Sequence, residues 1–401
     1  MEANVWKKDF PQIQQGMVYL DSAAMSLKPQ SVIDAVDYYY RDLSVNIHRG
    51  LYPSGVLTTH LYEEAREKVA EYLHATADEI VFTRGTTSSL NLVALSYGAT
   101  FLKEGDVILT SELEHHSSYL PWREIALKVG ATIRFVPLTK EGRITVEAFS
   151  SVLDEHVKVV ALTHVSNVMG FVTPIQEITK LAHQMGAIVV LDAAQSLPHY
   201  HVNVLDLDVD FLAFSGHKML GPTGVGVLYG KKALLDQMPP VEFGGDMNDD
   251  VSKDDVLYKD APQKFEAGTM PIAEILGFKA AIDYLNRVDV DAIERHTVAL
   301  HRYAMARLSK IDGIEIYNPT TESGIIAFNL TNVPPHDAIS FYGEKNICMR
   351  SGHHCAKLVS RFLGITGCLR ASFYLYNDFK DVDLFVDTTK EAITFFKNMG
   401  F

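Results

Sequence analysis

Lys218 lies in Ser215-Gly216-His217-Lys218, directly after an apolar run and just before Gly221-Pro222. A lysine immediately beyond a buried strand can be desolvated, which lowers its pKa and makes the amine a nucleophile able to form a Schiff base with an aldehyde cofactor. A solvated loop lysine fits the same tetrapeptide. Asp192 closes the apolar run 187–191, and Gln195 follows one helical turn on. A carboxylate there can pair with a pyridinium nitrogen and keep the ring an electron sink, and Gln195 can reach a ring oxygen. Asp192 alone also reads as a helix N-cap. Both residues stand at strand ends 26 positions apart, a spacing that can put them on opposite sides of one ligand.

Gly85-Thr86-Thr87 follows the apolar stretch 80–82 and opens a helix-like run. Free N–H groups and the helix dipole favour an anion there, with Ser215 and His217 as further donors, although Thr at a helix start is often only a cap. His115 and His116 follow the apolar run 107–110, where an imidazole beside a cofactor can stack on its ring and move protons. Adjacent helical histidines point about 100° apart and chelate poorly, so no metal is expected. In Arg350-Ser351-Gly352-His353-His354-Cys355-Ala356, histidines and an arginine give Cys355 a route to a lowered pKa and nucleophilic character, and Gly352 suggests a mobile loop. A buried structural cysteine is the plainer alternative. Arg370 can clamp a substrate carboxylate bidentately. Cys348 and Cys368, beside Ile347 and Leu369, read as structural.

Alternating strands and helices must position these groups. Apolar runs at 80–82, 107–110, 132–136, 157–163 and 187–191 read as strands, separated by helix-like stretches at 89–102, 119–129, 146–153 and 174–185, with another at 59–73. Strands buried on both faces with crossover helices make a mostly parallel α/β sheet. The runs 211–214 and 225–229 add two strands, and the short link 216–224 predicts a hairpin between them. A helix at 272–288 leads to a second unit: helix 297–309, strand 325–330 and closing helix 382–397. The segment 249–260, rich in Asp and Lys, reads as a surface loop or hairpin. The expected fold is therefore a large α/β domain, 26–288, and a smaller α+β C-terminal domain, 289–401, carrying the Cys355 loop. Residues 1–25 form an N-terminal segment packed with the small domain.

The 401 residues allow two or three units, and the net charge of −14 argues against nucleic-acid or anionic-membrane binding. Three cysteines without a C-x-x-C pair make neither a disulfide framework nor a structural zinc site. Residues 1–10 show no signal peptide or membrane span, so a cytoplasmic, reducing location is expected.

Asp192-x-x-Gln195, then Ser215-Gly216-His217-Lys218, then Arg350-x-Gly-His-His-Cys355-Ala resembles the cysteine desulfurases, pyridoxal-5'-phosphate (PLP) enzymes of fold type I in the class V aminotransferase superfamily. The short cysteine motif looks like the SufS-type, group II branch, which also includes selenocysteine lyases. The resemblance runs in order from Tyr19-Leu20-Asp21-Ser22-Ala23-Ala24 to the C-terminal helix. It implies that Lys218 forms the Schiff base, His115 stacks on the ring, Asp192 meets the ring nitrogen, and Gln195 and Asn167 approach the 3'-oxygen. Thr86, Thr87, Ser215 and His217 would hold the phosphate. Phe265-Glu266-Ala267-Gly268-Thr269 matches a segment that lends a threonine to the partner subunit, so a homodimer is implied. Arg370 would bind the cysteine carboxylate with help from Asn167. His48 would stand near the mouth of the site and Arg350 beside the nucleophile. Sulfur would pass from L-cysteine to Cys355 as a persulfide, leaving L-alanine. It would then move to a SufE- or SufU-like acceptor for iron–sulfur cluster assembly. The sequence departs from the common pattern at Ser118, Ser88, Tyr52 and Met270, which bears on substrate positioning and dimer-edge contacts. A selenocysteine lyase, another aminotransferase-fold PLP enzyme, a kynureninase-like hydrolase and an inactive scaffold are the alternatives. A thiol on a glycine loop distinguishes the first reading from an aminotransferase.

Overall fold

The computed structural model describes residues 4–13 and 16–400; residues 1–3, 14, 15 and 401, which belong to the expected terminal units, lie outside them. A seven-stranded sheet runs in the spatial order Ile80–Thr83, Gly226–Gly230, Phe211–Ser215, Ile188–Asp192, Val157–Thr163, Val107–Thr110, Thr132–Phe135. Only Gly226–Gly230 is reversed against the other six, and it pairs antiparallel with Phe211–Ser215 as the short link 216–224 requires. Successive side chains of a strand point to opposite faces, and both faces here are apolar. Leu109, Val160, Leu162, Val189 and Leu191 enter one core, while Ile108, Val159, Ala161 and Val190 enter the other. The result is the near-continuous apolar strand sequence read above.

A second sheet is antiparallel throughout, in the order Ile314–Ile316, Ile325–Leu330, Cys368–Ser372, Arg350–Gly352. It packs with Val290–Leu308, Pro335–Glu344 and Phe379–Asn398 around its own core, which also takes Val18 and Leu20. The N-terminal segment is stitched on by parallel pairing of Val18–Tyr19 with Ile347–Cys348 and by a bridge from Asp21 to Ser372. Ile272–Val288 connects the two bodies.

Several helices start earlier than their apolar stripes predict. Pro53–Leu73 gains a first turn because Pro53 has its φ pre-set at the opening position after an extended Tyr52. Val290–Leu308 starts at a cap in which the Asp289 side chain accepts from the Asp291 N–H. The helical run after Thr83 begins at Thr86, three residues before the apolar pattern. Val146–Ser150 is shorter than its pattern. The segment rich in Asp and Lys is a hairpin of Asn248–Val251 with Val256–Tyr258. Among the described residues, no helix is long and apolar enough to cross a membrane.

Candidate active site

The carboxyl ends of the central strands open into one cavity. Its lining includes Thr86, Thr87, His115, Asn167, Asp192, Gln195, Ser215, His217, Lys218, Arg350, His354, Cys355 and Arg370. Ligands of open α/β sheets sit at this edge. Asp192 ends its strand in register with Thr163 on one side and Ala213 on the other. Lys218 sits three residues beyond the next strand, as the last residue of the 3-10 turn Gly216–Lys218.

Burial brings Lys218 down to about 8; Asp192 and Cys355 oppose the shift, whereas Arg370 and Arg350 add to it. Among the described residues its Nζ has no hydrogen-bond partner, so the amine is desolvated and available. Burial raises Asp192 above the usual carboxylate range, against the pull of Lys218 and of the Ala194 N–H on Oδ1 at 3.0 Å. His115 caps Ser117 N–H through Nδ1 at 3.1 Å, and burial, then Lys218, lower its pKa to about 4. It is therefore neutral near pH 7, with its proton on Nε2.

The anion cup depends on a close backbone approach. A Cβ on Gly226 would lie 2.3 Å from Gly85 Cα, so these strands meet as they do only without one. Gly85 has φ 146°, and the helix Thr86–Val93 starts directly after it. Ser215 Oγ accepts from Thr86 N–H at 2.8 Å and shares a 2.6 Å bond with Thr86 Oγ1, while Thr87 Oγ1 meets Ser117 Oγ at 2.7 Å. Hydroxyls, first-turn N–H groups and His217 thus converge at one end. Thr269 borders this cup from outside, along a groove that shares Thr86, Thr87, Ser215 and His217 with the cavity.

At the other end, Arg370 is only 2% exposed. Its Nη1 donates to the Asn167 carbonyl at 2.8 Å and its Nη2 to Asp21 at 3.4 Å, but Nε has no partner. Asn167 Oδ1 is likewise buried and unpartnered. An orphaned donor and acceptor at one cavity wall are costly unless a ligand satisfies them.

Cys355 is exposed, on a backbone that is left-handed at both His354 and Cys355. The loop is tied down rather than loose. His116 N–H reaches the Cys355 carbonyl at 2.7 Å, and Asn167 Nδ2 reaches the His354 carbonyl at 2.8 Å. The neighbouring histidines also differ from the sequence expectation. His354 is buried, bonded through Nε2 to the Cys368 carbonyl at 2.9 Å, and its pKa falls to about 3, so it carries no charge to lend the thiol. His353 Nδ1 meets Ser360 Oγ at 3.2 Å.

His48 is not brought to this cavity by its own chain. It lines a neighbouring one with Glu63, Glu266 and Gly268. Gln195 reaches the cavity but uses Nε2 on the Ala23 carbonyl at 2.6 Å. Three contributors escaped the sequence reading: Asp21, which joins both arginines; Ser26, which holds the lysine turn; and Glu114, behind His115. Asp21 lay inside the Tyr19–Ala24 match and Glu114 beside His115, without a role; no motif marked Ser26.

A lysine kept partly uncharged at a strand end is the tool of enzymes that condense an amine with a carbonyl, and fold and site place this chain in that class. Residues 18–385 match the aminotransferase class-V family, and the chain belongs to it, among the cysteine desulfurases. A probable cysteine desulfurase of Halalkalibacterium halodurans is 48% identical over 98% of both chains. The apo structure of a cysteine desulfurase from Thermococcus onnurineus is 40% identical, with a TM-score of 0.94 over 97% of both chains. A crystal structure of an Escherichia coli cysteine desulfurase, in an S-sulfonic acid form, is 38% identical, with a TM-score of 0.92 over 97% of this chain and 98% of that one.

Proposed function

We propose that this protein is a PLP-dependent cysteine desulfurase that moves sulfur from L-cysteine to Cys355 and releases L-alanine. The carrying observation is that Lys218 and Cys355 line one cavity, the amine desolvated and the thiol exposed.

The residues fit the cofactor. A partner-free amine, a buried carboxylate across from it and a cup of hydroxyls and N–H groups match an aldehyde, a ring nitrogen and a phosphate. Lys218 would hold the aldehyde, Asp192 the ring nitrogen, and Gln195 and Asn167 a ring oxygen. His115 would stack on the ring. Thr86, Thr87, Ser215 and His217 would hold the phosphate, with Thr269 of the partner subunit in a homodimer. When bound, PLP supplies a sink for the electron pair left at the substrate Cα.

The chain's own groups do the rest. Arg370 Nε holds the substrate carboxylate, satisfying the orphaned donor, while Asn167 Oδ1, an acceptor, is satisfied by an N–H or O–H of the bound ligand. Lys218 Nζ, whose pKa of about 8 leaves a fraction uncharged near pH 7, takes the α-proton. Neutral His115 can donate from Nε2 and accept no proton at Nδ1, which the Ser117 N–H occupies. The Cys355 thiolate attacks the substrate sulfur, the S–S bond forming as the substrate Cβ–S bond breaks; the electron pair of that bond stays with the carbon skeleton, which takes up protons at Cβ and Cα and leaves as L-alanine. Arg350 stands at the mouth, half exposed. A small acceptor of the SufE or SufU kind then takes the persulfide sulfur toward iron–sulfur cluster assembly.

The purified protein is expected to be yellow and to release alanine from cysteine. Cys355→Ser should keep the colour and lose alanine release. Lys218→Ala should no longer carry cofactor fixed by borohydride. A Cys355→Ser protein with full activity would dismiss the thiol as acceptor.

A further inference from the structure

Arg350 and Arg370 are direct partners across two antiparallel strands. Like charges opposite one another in a ladder repel. A single carboxylate from the N-terminal segment resolves the conflict: Asp21 accepts from Arg350 Nη2 at 2.9 Å and Nε at 3.2 Å, and from Arg370 Nη2 at 3.4 Å. Asp21 is fixed there by its bridge to Ser372, on the strand that carries Arg370. Both arginines line the cavity.

We propose that Asp21 is a specificity-determining residue that limits the substrate clamp to one anionic group. The reading rests on the amino-acid substrate proposed above and goes beyond it. Asp21 engages Arg350 with two bonds and Arg370 with one long bond. Arg350 is therefore largely neutralised, while Arg370 keeps a buried Nε for a ligand. Two guanidinium charges and one carboxylate leave a single positive charge at this wall, the complement of one substrate carboxylate. An amino acid with a second anion on its side chain meets no second free cation at the mouth. Discrimination comes as much from this withheld attraction as from the contact made. Tyr19, His115, Lys218, His354 and Cys368 are the other titratable groups that feel these arginines. None brings a competing carboxylate to Arg350.

The test is calorimetric binding of L-alanine and L-aspartate, with one and two carboxylates, to the holoenzyme. Asp21→Asn should tighten L-aspartate relative to L-alanine at least tenfold, and Asp21→Glu should hold the wild-type ratio. Arg350→Gln, a change at a half-exposed side chain, should turn Asp21 fully onto Arg370 and weaken L-alanine at least tenfold. Adding Asp21→Asn to it should restore L-alanine binding. An unchanged ratio in Asp21→Asn, or undiminished L-alanine binding in Arg350→Gln, overturns the proposal. If Asp21→Asn does not fold, the Arg350→Gln arm still decides. Wild-type protein that binds both amino acids yet releases no alanine from cysteine would refute the desulfurase reading alone.

Discussion

The carbonyl oxygen of His217 is held by Ser26, through the backbone N–H at 2.9 Å and the hydroxyl at 3.0 Å. The same hydroxyl accepts from Leu220 N–H at 2.8 Å. One serine from the N-terminal segment thus clasps both sides of the turn that presents Lys218, and Lys28 Nζ adds a bond to the same carbonyl at 3.1 Å. Ser26→Ala strips the buried Leu220 N–H of its partner. A loss of about 1–3 kcal/mol is expected in denaturant unfolding, with weaker cofactor retention on dialysis. Unchanged stability would show that the clasp is redundant.

Lys218 makes the cofactor-free protein sensitive to alkaline pH. Its folded pKa, about 8, lies below the 10.5 of an exposed lysine. Below pH 8 both folded and unfolded chains hold the proton, and the cost of burying the charge is fully present. Between pH 8 and 10.5 the unfolded chain still binds a proton that the folded chain has released, so stability rises with pH. The increment is on the order of 3 kcal/mol. Urea unfolding of the cofactor-free wild type against Lys218→Met across this window should show the rise only in the wild type. Parallel curves would mean the lysine is solvated.

Glu114 acts in the opposite direction. Burial raises it to about 8, above the 4.5 of an exposed glutamate, even though Oε1 accepts from Ser111 Oγ at 2.7 Å and Thr163 N–H at 3.0 Å. Ser118, one of the departures from the family pattern, also works against the rise. From pH 4.5 to 8 the folded chain keeps a proton that the unfolded chain gives up, so this residue's contribution to stability falls as pH rises. Glu114→Gln removes the titration. Its stability relative to wild type should climb by as much as order 5 kcal/mol over that window, read as the difference between two denaturation series. A flat difference would place an ionised carboxylate in the core.

How far the sequence reveals this site follows from how each residue is placed. Lys218 and Asp192 were legible because strand ends are legible, and the sheet aligns those ends by its own register. The Thr86–Thr87 cup was legible because a glycine before a helix marks a close backbone approach. Asp21 was not, because its partners lie 329 and 349 residues away and only the second sheet brings them together. The histidines beside Cys355 were misread for a related reason. Adjacency in the chain says nothing of side-chain direction, and in the folded loop the His354 imidazole is bonded to the Cys368 carbonyl. Helix starts at Pro53 and Asp289 were missed because caps set them, ahead of any apolar stripe.

Gly352 offers a way to disturb sulfur capture while sparing the cofactor end. Its φ of 115° is one that side-chain-bearing residues rarely adopt, yet a Cβ built on it meets nothing within 4 Å. Any effect of Gly352→Ala is therefore backbone strain, about 1–3 kcal/mol, with no steric clash to confuse it. The strain falls where the strand Arg350–Gly352 hands over to the left-handed His354 and Cys355. It can relax by shifting the thiol, because the loop's ties to His116 and Asn167 are individual hydrogen bonds worth about 1 kcal/mol each. Lys218, Asp192 and the Ser215 cup stand on the other sheet and keep their positions. The expected outcome is a normal cofactor spectrum with alanine release from cysteine reduced at least tenfold. Loss of the spectrum together with activity would mean that the two ends of the cavity do not separate.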